Sequence, residues 1–284
     1  MSWIINVAAL HVGWGTPLYL LALYGALRFA LRDPQSEDGQ KVRWSALESV
    51  SITLFMYFFG QLVGGLLLYA SLSLAGWPEQ RITSWLSDNT LGQFVTIFVI
   101  EVITIFVLTR FLKRRKGSLQ TIGLTKRPLL SDVGRAIGGY VAYFAVYLLV
   151  IWLVKTLVPN LDLEQKQEIG FEQVARTQLP LVFMSLVVLP PLTEELLMRG
   201  FLYTGLRAKV PKLAAVLITS FLFAIAHLQA GSSAPLLWVA AIDTFVLSVV
   251  LIQLKEKTGT LWAPIFLHAL KNGIAFVALF VLAT

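Results

Sequence analysis

The sequence predicts an all-α protein, a polytopic membrane helix bundle of about eight transmembrane helices. Of its 284 residues, 57% are hydrophobic and only 14% are charged, whereas a soluble domain carries about a quarter charged residues. The mean hydropathy is +0.74, and several apolar runs reach the roughly 20 residues needed to cross a bilayer. Because hydrocarbon offers no partner for unpaired backbone groups, such segments must be helices.

Eight apolar segments are the candidate transmembrane helices. In chain order they cover residues 4–30, 49–75, 91–112, 134–158, 180–203, 212–230, 233–254 and 260–283. The fifth and the seventh are the least regular candidates, because the fifth holds Glu194 and Glu195 and the seventh holds Asp243 inside its span. The polar connection 159–178 fits two interpretations, a short helix on the membrane surface or a plain solvated loop.

The net charge of +7 is explained by membrane topology better than by nucleic-acid binding. The connection between the third and fourth segments carries about eight Lys and Arg, the other odd-numbered connections are also basic, and the even-numbered ones are poor. Positively charged loops stay in the cytoplasm, so both termini are predicted to be extracytoplasmic. We therefore expect an integral, multi-pass protein of the plasma membrane of a prokaryote, with membrane lipids as partners and no nucleic acid.

Ionisable side chains inside the apolar segments concentrate in the C-terminal third. Such residues are costly in hydrocarbon and mark functional sites by default. The first half offers Glu101 and His11, whereas the last third offers Glu194, Glu195, Arg199, His227, Asp243, His268, Lys271 and the amide of Asn272. This asymmetry divides the chain near residue 180 and predicts an active site formed by the last four helices.

Helical spacing separates the roles of the two adjacent glutamates. Glu195 and Arg199 are four residues apart and can form an ion pair on one face of a helix. Glu194 is rotated by about 100° from its neighbour and is left for another partner. Pro190–Pro191 should interrupt or kink the helix. A helix restarting near Leu192–Thr193 would place both glutamates in its first turn, where the dipole favours carboxylates.

The last segments contribute imidazole and amide groups at the same spacing. His268 and Asn272 are four residues apart and can both donate hydrogen bonds to one oxygen. Phe223 and His227 repeat the spacing in the sixth segment. Lys271 lies at a depth comparable to Asp243 and Glu101, and we expect one of these carboxylates to neutralise it, since an unpaired buried ammonium is costly.

Two kinds of hydrolytic chemistry fit this set of residues. A carboxylate with an imidazole can hold and deprotonate a water, while a second imidazole with an amide can stabilise the oxyanion formed by attack on a carbonyl. The alternative is a zinc site of His227, His268 and Glu194. We favour the metal-free interpretation because no H-E-x-x-H motif is present and Asn272 suits oxyanion stabilisation better. The absence of cysteine excludes a cysteine nucleophile.

Three short motifs resemble those of a known family. "EELLMR" (194–199) with the following Gly200, "FAIAH" (223–227) and "HALKN" (268–272) are similar to the E-E-x-x-x-R, F-x-x-x-H and H-x-x-x-N motifs of the CPBP (Abi) family of intramembrane glutamic endopeptidases. That family includes the CAAX prenyl endopeptidases and bacterial bacteriocin-processing and self-immunity proteins. The resemblance covers roughly residues 180–280, so residues 180–284 would be a CPBP/Abi-like catalytic bundle and residues 1–179 additional N-terminal helices.

The resemblance implies a role for each motif residue. Glu194 would be the general base, His227 would help to orient the water, and His268 with Asn272 would form the oxyanion hole. Glu195 and Arg199 would support the site, and no metal or other cofactor would be required. The substrate would be a protein or peptide at the membrane: a lipidated (prenylated) C-terminus, a leader peptide or a membrane protein segment.

Two functions other than proteolysis are consistent with the same residues. A non-catalytic family member would act as a membrane scaffold or a bacteriocin self-immunity protein, binding a partner with the same cavity. A transporter would use the intramembrane carboxylates as a proton relay and would be expected to contain internal repeats. We see no such repeat in the sequence.

Overall fold

The computed structural model describes residues 16–30, 42–125, 127–164, 169–171, 174–228 and 236–282. His11 and the first part of the predicted segment 4–30 lie outside these ranges. Residues 229–235, where the sixth and seventh predicted segments meet, also lie outside them.

The described residues form helices and no strands, which confirms the all-α prediction. The helices are α1 (Thr16–Ala30), α2 (Ala46–Leu74), α3 (Glu79–Ser87), α4 (Thr90–Arg114), α5 (Leu130–Leu157), α6 (Arg176–Arg207), α7 (Lys212–Ala226), α8 (Trp238–Thr258) and α9 (Trp262–Leu282). Six of them, α2, α4, α5, α6, α8 and α9, are long and apolar enough to cross a membrane. Helix α7 is apolar but has 15 residues.

Each predicted apolar segment corresponds to one helix; one connection holds a helix that the pattern did not predict, and another favours one of two predicted alternatives. Helix α3 is a short amphipathic helix between α2 and α4. In the described part of the connection 159–178, no regular helix precedes the 3₁₀ turn Arg176–Gln178, with which α6 begins.

Small residues allow α2 and α4 to approach each other closely. A Cβ at Gly60 would lie 2.5 Å from Thr104 Oγ1, and one at Gly64 would lie 2.8 Å from Ile100 Cγ1. A glycine at every fourth position is a common way to bring transmembrane helices into backbone contact. This packing holds the middle of α4, which includes Glu101, inside the bundle.

Helix α6 is the central helix of the described bundle. It packs against α2, α4, α7, α8 and α9, whereas α5 packs mainly against α8 and α9. Groups projecting from different sides of α6 therefore meet side chains from several other helices.

The tandem proline does not end α6, so the predicted restart near Leu192–Thr193 is wrong. The α-helical segment Leu189–Glu194 contains both prolines and follows a π-helical turn, Met184–Val188. In this turn the Leu189 N–H donates to the Met184 carbonyl, five residues back. The wider turn accommodates prolines that cannot donate to the preceding turn. Both glutamates consequently lie in the middle of a helix, away from any dipole terminus.

Candidate active site

The centre of the candidate site is a carboxylate shared by two cationic or hydrogen-donating side chains. Glu195 Oε1 lies 2.9 Å from Arg199 Nη1 and 2.9 Å from His268 Nδ1. The Glu195 and Arg199 side chains are fully buried, and that of His268 is 5% exposed. The ion pair predicted from spacing is confirmed, and it also anchors a residue of α9.

Glu194 is not part of that ion pair and faces a different neighbour. Its Oε2 lies 3.8 Å from His268 Nε2, and its side chain is 31% exposed. Among the described residues this oxygen has no hydrogen-bond partner. Glu195 uses its Oε1 for both contacts, and its Oε2 likewise has no hydrogen-bond partner among the described residues. The 100° rotation between successive helical residues thus separates the two carboxylates, one fully buried against Arg199 and His268 and the other partly exposed.

The hydrogen bond to Glu195 determines which nitrogen of His268 carries a proton. A carboxylate paired with Arg199 accepts hydrogen bonds, so His268 Nδ1 is the donor. In the neutral ring, Nε2 then carries a lone pair directed toward the Glu194 side of the site. Donation from Nε2 requires the doubly protonated ring, whose positive charge Glu195 would stabilise.

His227 is oriented by its own helix. Its Nδ1 lies 2.8 Å from the Phe223 carbonyl oxygen, which is an acceptor, so Nδ1 donates and Nε2 keeps its lone pair. The Phe223 ring lies 4.7 Å from the His227 ring and 6.0 Å from the His268 ring, centroid to centroid. Arg199 Cζ is 4.2 Å from the centre of the same ring. Phe223 is therefore the shared contact of both histidines and the arginine.

Asn272 is held by a backbone group of α6. Its Nδ2 donates to the Leu186 carbonyl oxygen at 2.9 Å. A side-chain amide has two N–H donors, so this bond uses one and leaves the other. Asn272 lies one helical turn beyond His268 in α9, as the spacing predicted.

Lys271 is neutralised by Asp243, which confirms one of the two predicted pairings. Its Nζ lies 2.6 Å from Asp243 Oδ2, and the Tyr143 hydroxyl of α5 donates to the other carboxylate oxygen. Of the two carboxylates offered as partners of Lys271, Asp243 is therefore the one that forms an ion pair with it.

Lys255 supports the π-helical segment that carries the ion pair. The segment Glu195–Tyr203 departs from α-helical hydrogen bonding, and the Lys255 ammonium donates to the Arg199 carbonyl and to Thr204 Oγ1. The sequence did not predict such supporting residues, which contact the site from another helix. The contacts of Tyr143 and Lys255 carry no spacing signal, because each joins helices distant in the chain.

Within the described residues, no three His, Asp or Glu side chains converge in an arrangement that could hold a metal ion. Glu194, Glu195, Arg199 and His268 contact one another, and His227 reaches Arg199 and His268 through the Phe223 ring. Asn272 lies on the same helix as His268 and contacts the Leu186 carbonyl, eight residues before Glu194. The arrangement combines an unpaired carboxylate, imidazole lone pairs and a spare amide donor.

Comparison with protein families finds one match in this region. Residues 176–274 match the family described as type II CAAX prenyl endopeptidase Rce1-like. Comparisons with curated proteins and with solved structures found no significant match. The matched range includes all six predicted site residues and excludes α1 to α5, while the division near residue 180 stays a prediction. Residues 176–274 of this integral multi-pass membrane protein are thus similar to the type II CAAX prenyl endopeptidase Rce1-like family.

Proposed function

We propose that this protein is an intramembrane glutamic endopeptidase that hydrolyses a peptide bond in a membrane-proximal or lipidated protein. The observation that carries the proposal is the unequal use of two adjacent glutamates. Glu195 is fully buried and its Oε1 accepts from both Arg199 and His268, whereas the Glu194 side chain is 31% exposed. Glu194 Oε2, like Glu195 Oε2, has no hydrogen-bond partner among the described residues. A free, partly accessible carboxylate beside imidazole groups suits a general base.

Glu194 and His227 activate the water in this mechanism. The Glu194 carboxylate takes a proton from water while the water oxygen attacks the carbonyl carbon of the peptide bond. The His227 Nε2 lone pair accepts the second hydrogen of that water and orients it. The proton held by Glu194 is later delivered to the leaving amine, so the reaction needs no covalent intermediate.

His268 and Asn272 stabilise the oxyanion. The free N–H of the Asn272 amide can donate without any change in protonation. His268 donates from Nε2 once its ring is doubly protonated, and Glu195 holds the opposite nitrogen at 2.9 Å. Removing one oxyanion-hole donor typically slows an enzyme by about 10²- to 10³-fold.

The environment of the site favours a peptide presented at the membrane. The site lies among helices long and apolar enough to cross the bilayer, so a substrate with a lipid anchor or an apolar flank would reach it through the lipid phase. A prenylated C-terminus and a leader peptide are the two substrate classes proposed. The extracytoplasmic termini and the prokaryotic plasma membrane remain predictions.

The decisive experiment compares two isosteric substitutions of intramembrane glutamates. Glu194→Gln and Glu101→Gln are each reconstituted in liposomes with a farnesylated peptide ending in a C-a-a-X sequence, and with a panel of leader peptides. We expect Glu194→Gln to lose about 10²- to 10⁴-fold in kcat, while Glu101→Gln keeps its hydrogen-bonding capacity and remains active.

Equal cleavage by wild type and Glu194→Gln would contradict the proposal. Membrane N-terminomes of cells that express each variant extend the comparison to unknown substrates. Binding of peptides by the wild type without any cleavage in either assay would instead favour a scaffold or immunity protein. Loss of activity with a chelator and its rescue by zinc would restore the metal-dependent mechanism.

A further inference from the structure

The hydrogen bond between Asn272 and α6 uses a backbone acceptor that a regular helix would not leave available. Asn272 Nδ2 donates to the Leu186 carbonyl at 2.9 Å. In an uninterrupted helix that carbonyl would accept an N–H from one of the next residues of its own helix. The sequence of α6 must therefore explain why no backbone N–H of α6 occupies the Leu186 carbonyl.

The tandem proline removes the backbone donors that would compete for this carbonyl. The α-helical donor to Leu186 would be residue 190 and the π-helical donor residue 191, and both are prolines without an N–H. A 3₁₀ donor would be Leu189, whose N–H is already bonded to the Met184 carbonyl. Each helical geometry thus leaves Leu186 O without a donor from α6.

A carbonyl in the helix interior must still be satisfied, because an unpaired buried backbone group is costly. The Asn272 amide is the side chain that satisfies it. This requirement ties one amide N–H of Asn272 to a point on α6 eight residues before Glu194. The position of the Asn272 amide is thereby fixed relative to α6, the helix that carries Glu194.

We propose that Pro190 and Pro191 are positioning residues that keep the Leu186 carbonyl free to hold the Asn272 side chain, so that its second N–H serves the oxyanion. This inference rests on the proposed role of Asn272 in the oxyanion hole. The prolines touch neither the water nor the substrate in this scheme. They act through Leu186 and Asn272.

The proposal predicts that restoring the backbone donors lowers activity without lowering stability. In Pro190→Ala/Pro191→Ala, the new N–H groups compete with Asn272 for Leu186 O and release the amide. Proline is unfavourable within a helix, so the unfolding temperature in detergent should stay the same or rise. Because a small displacement of a catalytic group slows the chemical step, we expect kcat to fall about 10- to 100-fold with KM little changed.

Pro180 provides a matched control, since it lies in the first turn of the same helix, before the π turn. Pro180→Ala should leave kcat unchanged. The probe for all variants is the farnesylated C-a-a-X peptide, or any leader peptide cleaved by the wild type. Pro190→Ala and Pro191→Ala are also measured singly, which keeps the comparison available if the double variant fails to fold.

A double-mutant cycle with Asn272→Ala separates a positioning role from a merely structural one. If the prolines act through Asn272, their replacement should have no further effect on kcat in the Asn272→Ala background. The unfolding temperature supplies a second readout that needs no substrate. Asn272→Ala should lower it in the wild type, where Leu186 O loses its donor, and lower it less when alanines at 190 and 191 supply backbone donors.

The possible failures are distinguishable. If Asn272→Ala keeps full kcat, the proposed oxyanion role fails, whatever the proline variants do. If Asn272→Ala slows the reaction while the proline variants do not, the positioning role of the prolines is overturned and the proposed function stands. Additive effects on both kcat and unfolding temperature would likewise overturn the coupling.

Discussion

Helices α5 and α6 are both long and apolar, yet they occupy opposite environments. The most apolar 18-residue window of α5 has a mean hydropathy of 2.1 and 6% of its residues buried, whereas the values for α6 are 1.7 and 50%. The more hydrophobic helix is therefore the more exposed one, as expected of a helix that faces lipid. In a membrane protein, polar side chains are placed in the interior of the helix bundle, where they can be paired, and apolar side chains face the lipid.

The side chains of the two helices follow the same division. Many large apolar residues of α5 are exposed, and its main polar link to the bundle is the bond from Tyr143 to Asp243. Helix α6 instead buries the Glu195–Arg199 pair completely. Substitutions in α6 should consequently lower the free energy of unfolding more than comparable substitutions in α5. Three predictions test this expectation.

The largest effect is expected from breaking the buried ion pair of α6. Arg199→Met leaves the Glu195 carboxylate buried with His268 as its remaining partner, and breaking a buried pair costs about 3–5 kcal/mol. The free energy of unfolding in detergent measures it. The control is Arg135→Met in α5, where the arginine is 50% exposed and lies 3.5 Å from Asp132. Equal losses in the two variants would contradict the contrast between the helices.

An intermediate effect is expected where α5 meets the polar interior, at Asp243 and Lys271. Lys271→Met and Asp243→Asn each leave a partly buried group unpaired, and the double variant should be less destabilised than the sum, with a coupling of about 0.5–3 kcal/mol. Tyr143→Phe should lose about 0.5–1.5 kcal/mol, the usual contribution of one hydrogen bond.

One result would contradict the ion pair between Lys271 and Asp243. If Lys271→Met kept full stability and activity while Asp243→Asn lost both, the two groups would not be neutralising each other. Unfolding and peptide cleavage should be measured on the same preparations.

The smallest effect is expected on the lipid-facing side of α5. Leu149 is 55% exposed, and in a bilayer its neighbours are lipid chains as apolar as leucine, so Leu149→Ala should change the free energy of unfolding by about 0.5 kcal/mol or less. Leu202→Ala in α6, where the side chain is fully buried, should lose about 2–5 kcal/mol. A large effect at Leu149 would indicate a partner on that face.

Much of the fold and part of the site follow from local patterns. Hydropathy over windows of about 20 residues predicted the helices, because a transmembrane helix must be apolar along its whole length. Spacing of four predicted the Glu195–Arg199 pair, since both side chains lie on one face of one helix. The motifs in α6, α7 and α9 indicated the family that the match to residues 176–274 supports.

Other features could not be read from such patterns. The prolines predicted an interruption or a kink in α6, and a helix restarting after them; instead a π turn precedes them and the helix continues through them. Lys271 had two candidate partners at similar depth, and residue counting could not choose between Asp243 and Glu101. The support of the Arg199 carbonyl by Lys255 joins α6 to α8, and no local signal marks it.

The sequence by itself determined which segments are helices, which residue types they bring into the membrane, and which pairs share a helical face. The tertiary structure decided which carboxylate neutralises Lys271, which histidine nitrogen carries a proton, and which side chain donates to the carbonyl that the prolines leave without a backbone donor. The physical reason is the range of the interactions. Helical periodicity acts within about one turn, whereas His268, Lys271 and Asn272 bind groups of other helices, and only packing brings them within hydrogen-bonding distance.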